Sequence, residues 1–177
     1  IVLVNLSGSG MVGIPSFSYR FFKALSEQKV NIILITQASS EHSICVAIAA
    51  ADKEVAKEAI DVEFLYELSA NQINPVTIEE ALASVALGGS GMRAQVGVSG
   101  RMFDSLGKNG ISIKAIAQGS SERNISAVVD QHNLKKALNC LHESFFLSGN
   151  RVINLYIVGV GTVGKELIKQ LVQQQQY

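Results

Sequence analysis

The chain has 177 residues, of which 47% are hydrophobic and only 17% are charged, and its 15 Lys and Arg balance its 15 Asp and Glu. This composition excludes intrinsic disorder, because there is ample apolar surface to bury and little charge to keep the chain open. A membrane protein is excluded as well, since no apolar run approaches the ~18 residues that a spanning helix needs. The zero net charge provides no basic surface for nucleic acid or an anionic membrane.

The first 80 residues predict elements in the order β-α-β-β-α-β. Ile1 to Leu6 is a short apolar run that ends at a Ser-Gly-Ser-Gly turn, which is typical of a strand. An amphipathic helix is predicted next, with Pro15 suited to its first turn; its apolar positions are Ile14, Phe17, Phe21 and Leu25. The segments Val30 to Thr36 and Ser43 to Ala49 are apolar strands around a polar turn and predict a hairpin.

A second helix is predicted to start at Asp52, whose side chain can cap it. Its expected apolar face consists of Val55, Ala59, Val62 and Tyr66. Pro75 ends the preceding segment, and Val76 to Ile78 is expected to form the fourth strand.

The sequence is a tandem duplication with an offset of 81 residues. Aligned with itself, the chain places Val4 to Ile48 over Val85 to Val129 without a gap, and 17 of these 45 positions are identical. The identities cluster in two corresponding loops, namely Gly8 to Met11 over Gly89 to Met92 and Gln37 to Ile44 over Gln118 to Ile125. Such self-similarity indicates a repeated structural unit.

The second copy predicts the same elements. Its strands are expected at Ala83 to Leu87, Ile111 to Ala117 and Asn124 to Val129. Its first helix carries Val98, Met102 and Leu106 on one side, with Gly110 just past its end. Its second helix is expected to be capped by Asp130 and to carry Leu134, Leu138, Leu141 and Phe145.

Two helices per sheet must cover one face, so each copy predicts a two-layer sandwich. The fold class is therefore α+β, with two ferredoxin-like βαββαβ units packed side by side, which would also hide strand edges. The expected domains are residues 1–80, residues 81–151 and a truncated domain over residues 152–177. The first residue is Ile rather than Met, so we expect an excised piece of a longer polypeptide.

The cysteines and histidines indicate no catalytic or metal chemistry. Cys45 and Cys140 lie among apolar neighbours and are interpreted as core residues without a disulfide, which favours the cytoplasm. The three histidines, His42, His132 and His142, are not at metal-ligand spacing. The paired residues Arg20 and Arg101 are expected to anchor a helix to a sheet edge or to a partner subunit.

Two loop motifs and the C-terminal segment resemble one protein family. The strings Gln37-Ala-Ser-Ser-Glu-His-Ser-Ile-Cys45 and Gln118-Gly-Ser-Ser-Glu-Arg-Asn-Ile-Ser126 look like the paired ACT domains of aspartate kinases, above all those of bifunctional aspartokinase–homoserine dehydrogenase. Leu6 to Met11 and Leu87 to Met92 match the strand-to-helix loops of the same regulatory region. Asn154 to Gly164 is similar to the opening of the homoserine dehydrogenase domain.

The resemblance implies a regulatory segment and no complete catalytic site in this chain. In that family the ACT pair binds an end-product amino acid, most often threonine in the bifunctional enzymes, and shuts down the kinase and dehydrogenase on either side. Lysine, methionine and leucine stay open as alternative effectors. No cofactor is expected here, whereas ATP with Mg and NADP(H) are implied for the parent enzyme. The implied partners are the effector, the flanking domains and further copies in a homodimer or higher oligomer, without nucleic acid or membrane.

The candidate effector site combines the first strand-to-helix loop with the two Gln-Ser-Ser-Glu turns. A helix N-terminus favours a carboxylate, a glutamine amide is both donor and acceptor, and a glutamate can meet an ammonium group. The same residues could instead satisfy the backbone of the hairpin, and His42 in place of Arg123 makes the two copies unequal. The candidates are Met11, Gly13, Ile14, Gln37, Ser39, Ser40, Glu41, Gln118, Ser120, Ser121 and Glu122.

Gly159, Gly161 and Gly164 form a motif typical of a dinucleotide-binding turn, between an apolar strand and the helical Lys165 to Gln175. The acidic ribose ligand expected about 20 residues onward falls beyond Tyr177. The motif is therefore interpreted as the relic of a truncated cofactor site. The strand over residues 152–158 could instead complete the sheet of the second repeat.

Two other functions stay open at this point. One is a ligand-free dimerisation or interaction module that links the two catalytic domains. The other is a nucleotide-dependent enzyme, which would require this chain to bind a nicotinamide cofactor.

Overall fold

The computed structural model describes residues 1–11, 16–37, 43–89, 92, 95–118, 124–147, 158–159 and 161–174. The chain divides into two compact units, Ile1–Phe146 and Leu147–Tyr177. The first unit contains both repeats, and the second contains the glycine motif and the C-terminal helix. The boundaries at residues 80 and 151 stay predictions.

The first repeat forms a four-stranded antiparallel sheet with the order β2-β3-β1-β4. Its elements are β1 (Val2–Ser7), α1 (Phe17–Glu27), β2 (Ile32–Thr36), β3 (Ser43–Ile48), α2 (Lys53–Glu63), α3 (Leu65–Ser69) and β4 (Thr77–Glu79). The predicted βαββαβ order is confirmed for this repeat, with the second helix continuing into the short α3. Ile14 and Pro15 lie outside the described residues.

The second repeat has an antiparallel sheet with the order β5-β7-β6 among its described residues. Its elements are β5 (Leu82–Gly88), α4 (Val98–Lys108), β6 (Ile113–Ala117), β7 (Asn124–Asp130) and α5 (Leu134–His142). The alternative strand over residues 152–158 lies outside the described residues, except for Val158. The α+β fold class with two ferredoxin-like units is confirmed.

Each repeat buries an apolar core between its sheet and its helices. In the first repeat, alternate residues of β1, such as Val4 and Leu6, face Phe21 of α1 and Ile60 of α2. This alternation follows from the two-residue period of a strand. The second repeat builds the equivalent core from Val85, Met102, Leu106, Ala127 and Leu141.

The predicted apolar faces of the second helices are wrong in part. In α2 the buried residues are Ala56 and Ile60, followed by Phe64, whereas Val62 is 71% exposed. In α5 Leu138 is 51% exposed and Ala137 is buried. Ala56 and Ala137 are equivalent in the two repeats, and a small side chain there lets the helix approach the sheet closely.

The predicted helix caps are also corrected. Asp52 lies at the N-cap position of α2 but makes no side-chain capping bond. Asp130 is the last residue of β7, and the turn Gln131–Asn133 separates it from α5. In both repeats a single 3₁₀ turn leads into the helix, Ala50–Asp52 in the first. Such turns satisfy part of the free amides at a helix start.

The repeats pack through the helix-free faces of their sheets, an interface that we call the seam. Its buried residues are Leu3, Leu34 and Ala47 from the first sheet and Leu82, Ala115 and Val128 from the second. The amino group of Ile1 also donates to the carbonyl of Leu82 at 3.0 Å. The two repeats are packed against each other as predicted, but their contact is made by sheet faces, and the two sheets are hydrogen-bonded separately.

The second unit contributes one described helix, α6 (Thr162–Gln174), which begins directly after Gly161. None of the helices in the described ranges is long and apolar enough to cross a membrane.

Candidate functional site

Gln37 and Gln118 line the same cleft, although they stand 81 positions apart in the sequence. Gln37 follows β2 and Gln118 follows β6, and these two strands run close to each other in the first unit. The cleft has a volume of about 580 Å³ and is lined by Ile32, Ile33, Leu34, Ile35, Thr36, Gln37, Ile116, Ala117, Gln118, Asn124 and Ser126. The structure therefore brings the two predicted glutamines into one site that both repeats build.

The amide of Gln118 is oriented by the helix of its own repeat. Ser99 in the first turn of α4 donates its hydroxyl to Gln118 Oε1 at 3.2 Å. Because this bond occupies the carbonyl end of the amide, the NH₂ end is the donor offered to a ligand. Ser99 has a counterpart in the first repeat, Ser18 of α1.

The other predicted effector residues are distributed differently. Met11 packs against the core of the first repeat and does not line the cleft. The remaining candidates lie outside the described residues, namely Gly13, Ile14, Ser39, Ser40, Glu41, Ser120, Ser121 and Glu122. Their contribution to a site stays a prediction.

Sequence reasoning missed three polar residues of the cleft. Thr36 precedes Gln37, and Asn124 and Ser126 begin β7. The register places Ala117 opposite Ser126 and Thr36 opposite Cys45. Thr36 and Ser126 lie next to the repeated motif, so the strand ends beside that motif could have identified them as residues of the cleft.

An ion-pair cluster, which we call the Arg20 clamp, fixes α1 to α2 and α3. Arg20 Nε donates to Glu63 Oε1 at 2.7 Å and its Nη2 to the Glu63 carbonyl at 2.7 Å. Its Nη1 pairs with the Glu67 carboxylate, and its guanidinium lies 4.6 Å from the Phe64 ring centroid. Arg20 therefore joins helix to helix rather than helix to sheet edge, and its predicted role at a partner subunit stays a prediction.

Burial and ion pairing shift the pKa values of Arg20 and Glu67 in the Arg20 clamp. Glu67 is only 8% exposed, yet its hydrogen bond from Arg20 holds the pKa of its carboxyl below the usual range. The same bonds raise the pKa of Arg20. In the second repeat, Arg101 lies 5.5 Å from the ring of Phe145, which is the counterpart of Phe64.

The glycine motif adopts a tight turn before α6. Gly159 has a φ of +95°, and a Cβ on Gly164 would lie 2.4 Å from the Gly159 carbonyl oxygen. The amide of Lys165 donates to the Gly161 carbonyl at 3.0 Å. Only glycine fits at Gly164, which is the close approach that a dinucleotide turn requires. The residues thus fit such a turn, while binding of a nicotinamide cofactor stays a prediction.

The expected core position is confirmed for Cys140 and is wrong for Cys45. Cys140 belongs to the core of the second repeat, and Cys45 is half-buried beside the seam. Burial, followed by the charge of Glu79, raises the pKa of the Cys45 thiol. Within the described ranges, no group of three or more His, Cys, Asp or Glu side chains could hold a metal ion.

A family model of the ACT domain matches residues 4–64 and again residues 85–145. The chain belongs to the ACT domain family. The two matches coincide with the two repeats and confirm the resemblance seen in their loops. We refer to them below as the first and second ACT repeats.

Known proteins agree with this assignment. The bifunctional aspartokinase/homoserine dehydrogenase of Haemophilus influenzae is 41% identical over all 177 residues, which are 22% of its own length. Aspartate kinase from Synechocystis shares the fold, with a TM-score of 0.71 and 24% identity over 88% of this chain and 27% of its own. Aspartokinase III from E. coli, solved with lysine and aspartate in the T-state, gives a TM-score of 0.61 and 26% identity, covering 82% of this chain and 31% of its own.

Proposed function

We propose that the chain is the amino-acid-sensing, allosteric region of an aspartokinase/homoserine dehydrogenase and that L-threonine is its effector. The proposal rests on one cleft that is lined by both Gln37 and Gln118. These glutamines occupy equivalent positions in the two repeats. The relationship to E. coli aspartokinase III, whose structure contains lysine, supports an amino acid as the ligand class. The H. influenzae relative supports the bifunctional parent.

The cleft offers the groups that a small hydroxy amino acid needs. The NH₂ end of the Gln118 amide can donate to a carboxylate or hydroxyl, and the hydroxyls of Thr36 and Ser126 can donate or accept. The apolar wall at Ile35 and Ile116 can receive a methyl group. In this proposal Glu41 or Glu122 meets the effector's ammonium group, and the helix start after Gly13 and Ile14 meets its carboxylate.

Regulation would follow because the effector binds one arrangement of the two ACT repeats more tightly than another. A ligand held by groups from both ACT repeats favours the arrangement of repeats in which those groups are closest, and linkage passes this bias to attached domains. Such couplings are about 1–3 kcal/mol. Threonine has few atoms, so its affinity should lie roughly between micromolar and millimolar. The catalytic activities, with their ATP, Mg and NADP(H), are assigned by this proposal to other parts of the cytoplasmic parent protein.

Isothermal titration of the chain with L-threonine tests the proposal, with L-lysine and L-leucine as comparison ligands. We expect saturable heat from L-threonine and a loss of affinity of about 10- to 150-fold in Gln37→Ala and in Gln118→Ala, the range for a lost hydrogen bond to a charged group. Gln28→Ala, an exposed position outside the cleft, is the matched control and should bind normally. No heat from any amino acid, with the protein folded, would contradict the proposal.

The alternative is a ligand-free dimerisation module. It is favoured by the exposed isoleucines of the edge strand β2, Ile33 and Ile35, since an unpaired edge can pair with another chain. Sedimentation equilibrium separates the two functions. A dimer that forms equally in the chain and in the Gln37→Ala/Gln118→Ala double variant, together with no amino-acid binding, would support the module.

A further inference from the structure

The helix-free face of the first sheet carries a row of polar side chains next to the apolar seam. This polar row, in register across all four strands, consists of Thr36, Cys45, Asn5 and Thr77. The adjacent row contributes Leu34, Ala47 and Leu3 to the seam. Asn5, Thr36 and Cys45 are half-buried and Thr77 is exposed, so the polar row stays accessible to a ligand at the edge of the seam.

The polar row forms the floor of a cavity of about 640 Å³. Residues Ile113 to Ile116 of β6, from the second ACT repeat, line the opposite side. This volume falls within the range of small-molecule sites, which is about 300–1,000 Å³. The cavity adjoins the glutamine cleft at Thr36 and Ile116, but neither Gln37 nor Gln118 lines it.

Two opposite charges meet at one end of the cavity. The Lys114 ammonium group of β6 pairs with the Glu79 carboxylate of β4 across the seam, and both side chains line the cavity. Asp130 Oδ1 lies 3.9 Å from the same Lys114 Nζ. The hydrogen bond to Glu79 raises the pKa of Lys114, which keeps the ammonium group charged at neutral pH.

The second ACT repeat shows that the fold does not require the polar row. Its equivalent positions on the helix-free face are Ala117, Ser126 and Ala86, which are in register with one another. Small side chains therefore suffice on this face of the duplicated sheet. The Asn5 amide and the Thr36 hydroxyl have the apolar counterparts Ala86 and Ala117, whereas Cys45 is matched by the polar Ser126.

We infer that this cavity is a second ligand site, for a zwitterionic α-amino acid, and that binding there does not require Gln37 or Gln118. Lys114 would take the ligand's carboxylate and Glu79 its ammonium group, so each charge exchanges one partner for another and stays paired. The Asn5 amide and the Thr77 hydroxyl supply the neutral hydrogen bonds. Leu3 and Ala115 provide the apolar wall for a side chain.

Protection of Cys45 from alkylation tests the site directly, because its thiol lines the cavity while Cys140 is buried in a core. The rate of iodoacetamide labelling at Cys45 is measured by mass spectrometry with L-threonine or L-lysine, and a Cys45→Ser variant confirms the assignment. Occupancy at ten times Kd should slow labelling about tenfold by mass action. Propionate and propylamine, which carry one charge each, should not protect.

Variants distinguish this site from the proposed effector cleft. Protection should persist in Gln37→Ala/Gln118→Ala and disappear in Glu79→Gln and in the isosteric Thr77→Val, which keeps the ion pair. Asp104→Asn removes the exposed pair with Lys108 on α4 and is the matched control. The inference is overturned if no amino acid protects Cys45, if the single-charge compounds protect equally, or if the glutamine variants abolish protection.

Discussion

Gly8 and Gly89 occupy equivalent positions after β1 and β5, yet only Gly8 is enclosed by backbone. A Cβ on Gly8 would lie 2.4 Å from Ile73 Cα and 2.7 Å from the Gln72 carbonyl oxygen. A Cβ on Gly89 would meet its nearest atom, Met92 Cγ, at 3.7 Å. The repeated glycine therefore has a packing role in the first ACT repeat that it lacks in the second.

We expect Gly8→Ala to lower the free energy of unfolding by about 1–3 kcal/mol, the usual cost of forcing atoms into a packed site. Gly89→Ala is the matched control and should change it by less than about 0.5 kcal/mol. Urea denaturation followed by circular dichroism measures both. Equal destabilisation by the two substitutions would contradict the role assigned to Gly8.

Backbone angles show what could be predicted at this scale. Gly110 was expected just past a helix end, and its φ of +67° confirms a left-handed residue there. Its counterpart Lys29 has a φ of +57°, and Ser16, opposite Gly97, has a φ of +77°. Neither Lys nor Ser signals a left-handed conformation by itself. Only their alignment with glycines in the second copy provides the signal.

At the scale of elements, the Arg20 clamp adds two carboxylates to an arginine-on-phenylalanine contact that both repeats contain. Glu63 and Glu67 lie on α2 and α3, and Arg20 reaches both from α1. The counterpart of Glu63 in the second repeat is Ser144, while the arginine-on-phenylalanine contact occurs in both repeats. The shared contact belongs to the ACT framework, and the carboxylates are an addition to the first copy.

The Arg20 clamp should make stability depend on pH. Because the folded-state pKa of Glu67 is below its unfolded value, the stabilisation is complete above the unfolded pKa, near 4.5, and is lost as pH falls through the folded pKa. We expect Glu67→Gln to cost about 1–3 kcal/mol at pH 7 and less as the pH approaches 3. Denaturation at several pH values measures this difference.

Glu58→Gln supplies the comparison for the Glu67 experiment, since Glu58 is exposed on the neighbouring helix, α2. It should change the free energy of unfolding little at any pH. A Glu67→Gln deficit that stays constant from pH 7 to pH 3 would show that shape, rather than charge, accounts for the loss.

The orientation of the second helix could not be predicted because both of its faces carry apolar residues. Val55, Val62 and Tyr66 have helical spacing, and so do Ala56, Ile60 and Phe64. The structure buries the second set, where Phe64 stacks on Phe17 with ring centroids 4.5 Å apart. That stacking depends on the position of α1. The spacing of apolar residues within α2 carries no information about that position.

At the scale of the molecule, the seam determines which residues form a site. Sequence reasoning found both glutamines and the repeated fold, because local motifs and a regular period carry that information. It could not place Gln37 and Gln118 in one cleft, nor Lys114 beside Glu79. Those juxtapositions depend on how one sheet is rotated against the other, and the apolar alternation of each strand is compatible with several rotations.

Neighbouring residues of β2 test the seam. Leu34 is 6% exposed in the seam, whereas Ile33 points away from it and is 47% exposed. We expect Leu34→Ala to lower the free energy of unfolding by about 2–4 kcal/mol through lost burial and a cavity. Ile33→Ala should cost under about 1 kcal/mol, because little apolar area leaves water there. Thermal or urea unfolding of the two variants compares them, and similar losses would argue against a packed seam.

The helix-free faces of the two repeats bury each other, and this limits how the duplicated chain can be shortened. A shortened gene that encoded one repeat alone would leave Leu3 and Leu34, or Leu82 and Val128, facing water. An apolar sheet face of that kind favours aggregation or recruitment of a second copy. We therefore expect the two repeats to be gained or lost together in evolution, because each repeat covers the apolar sheet face of the other.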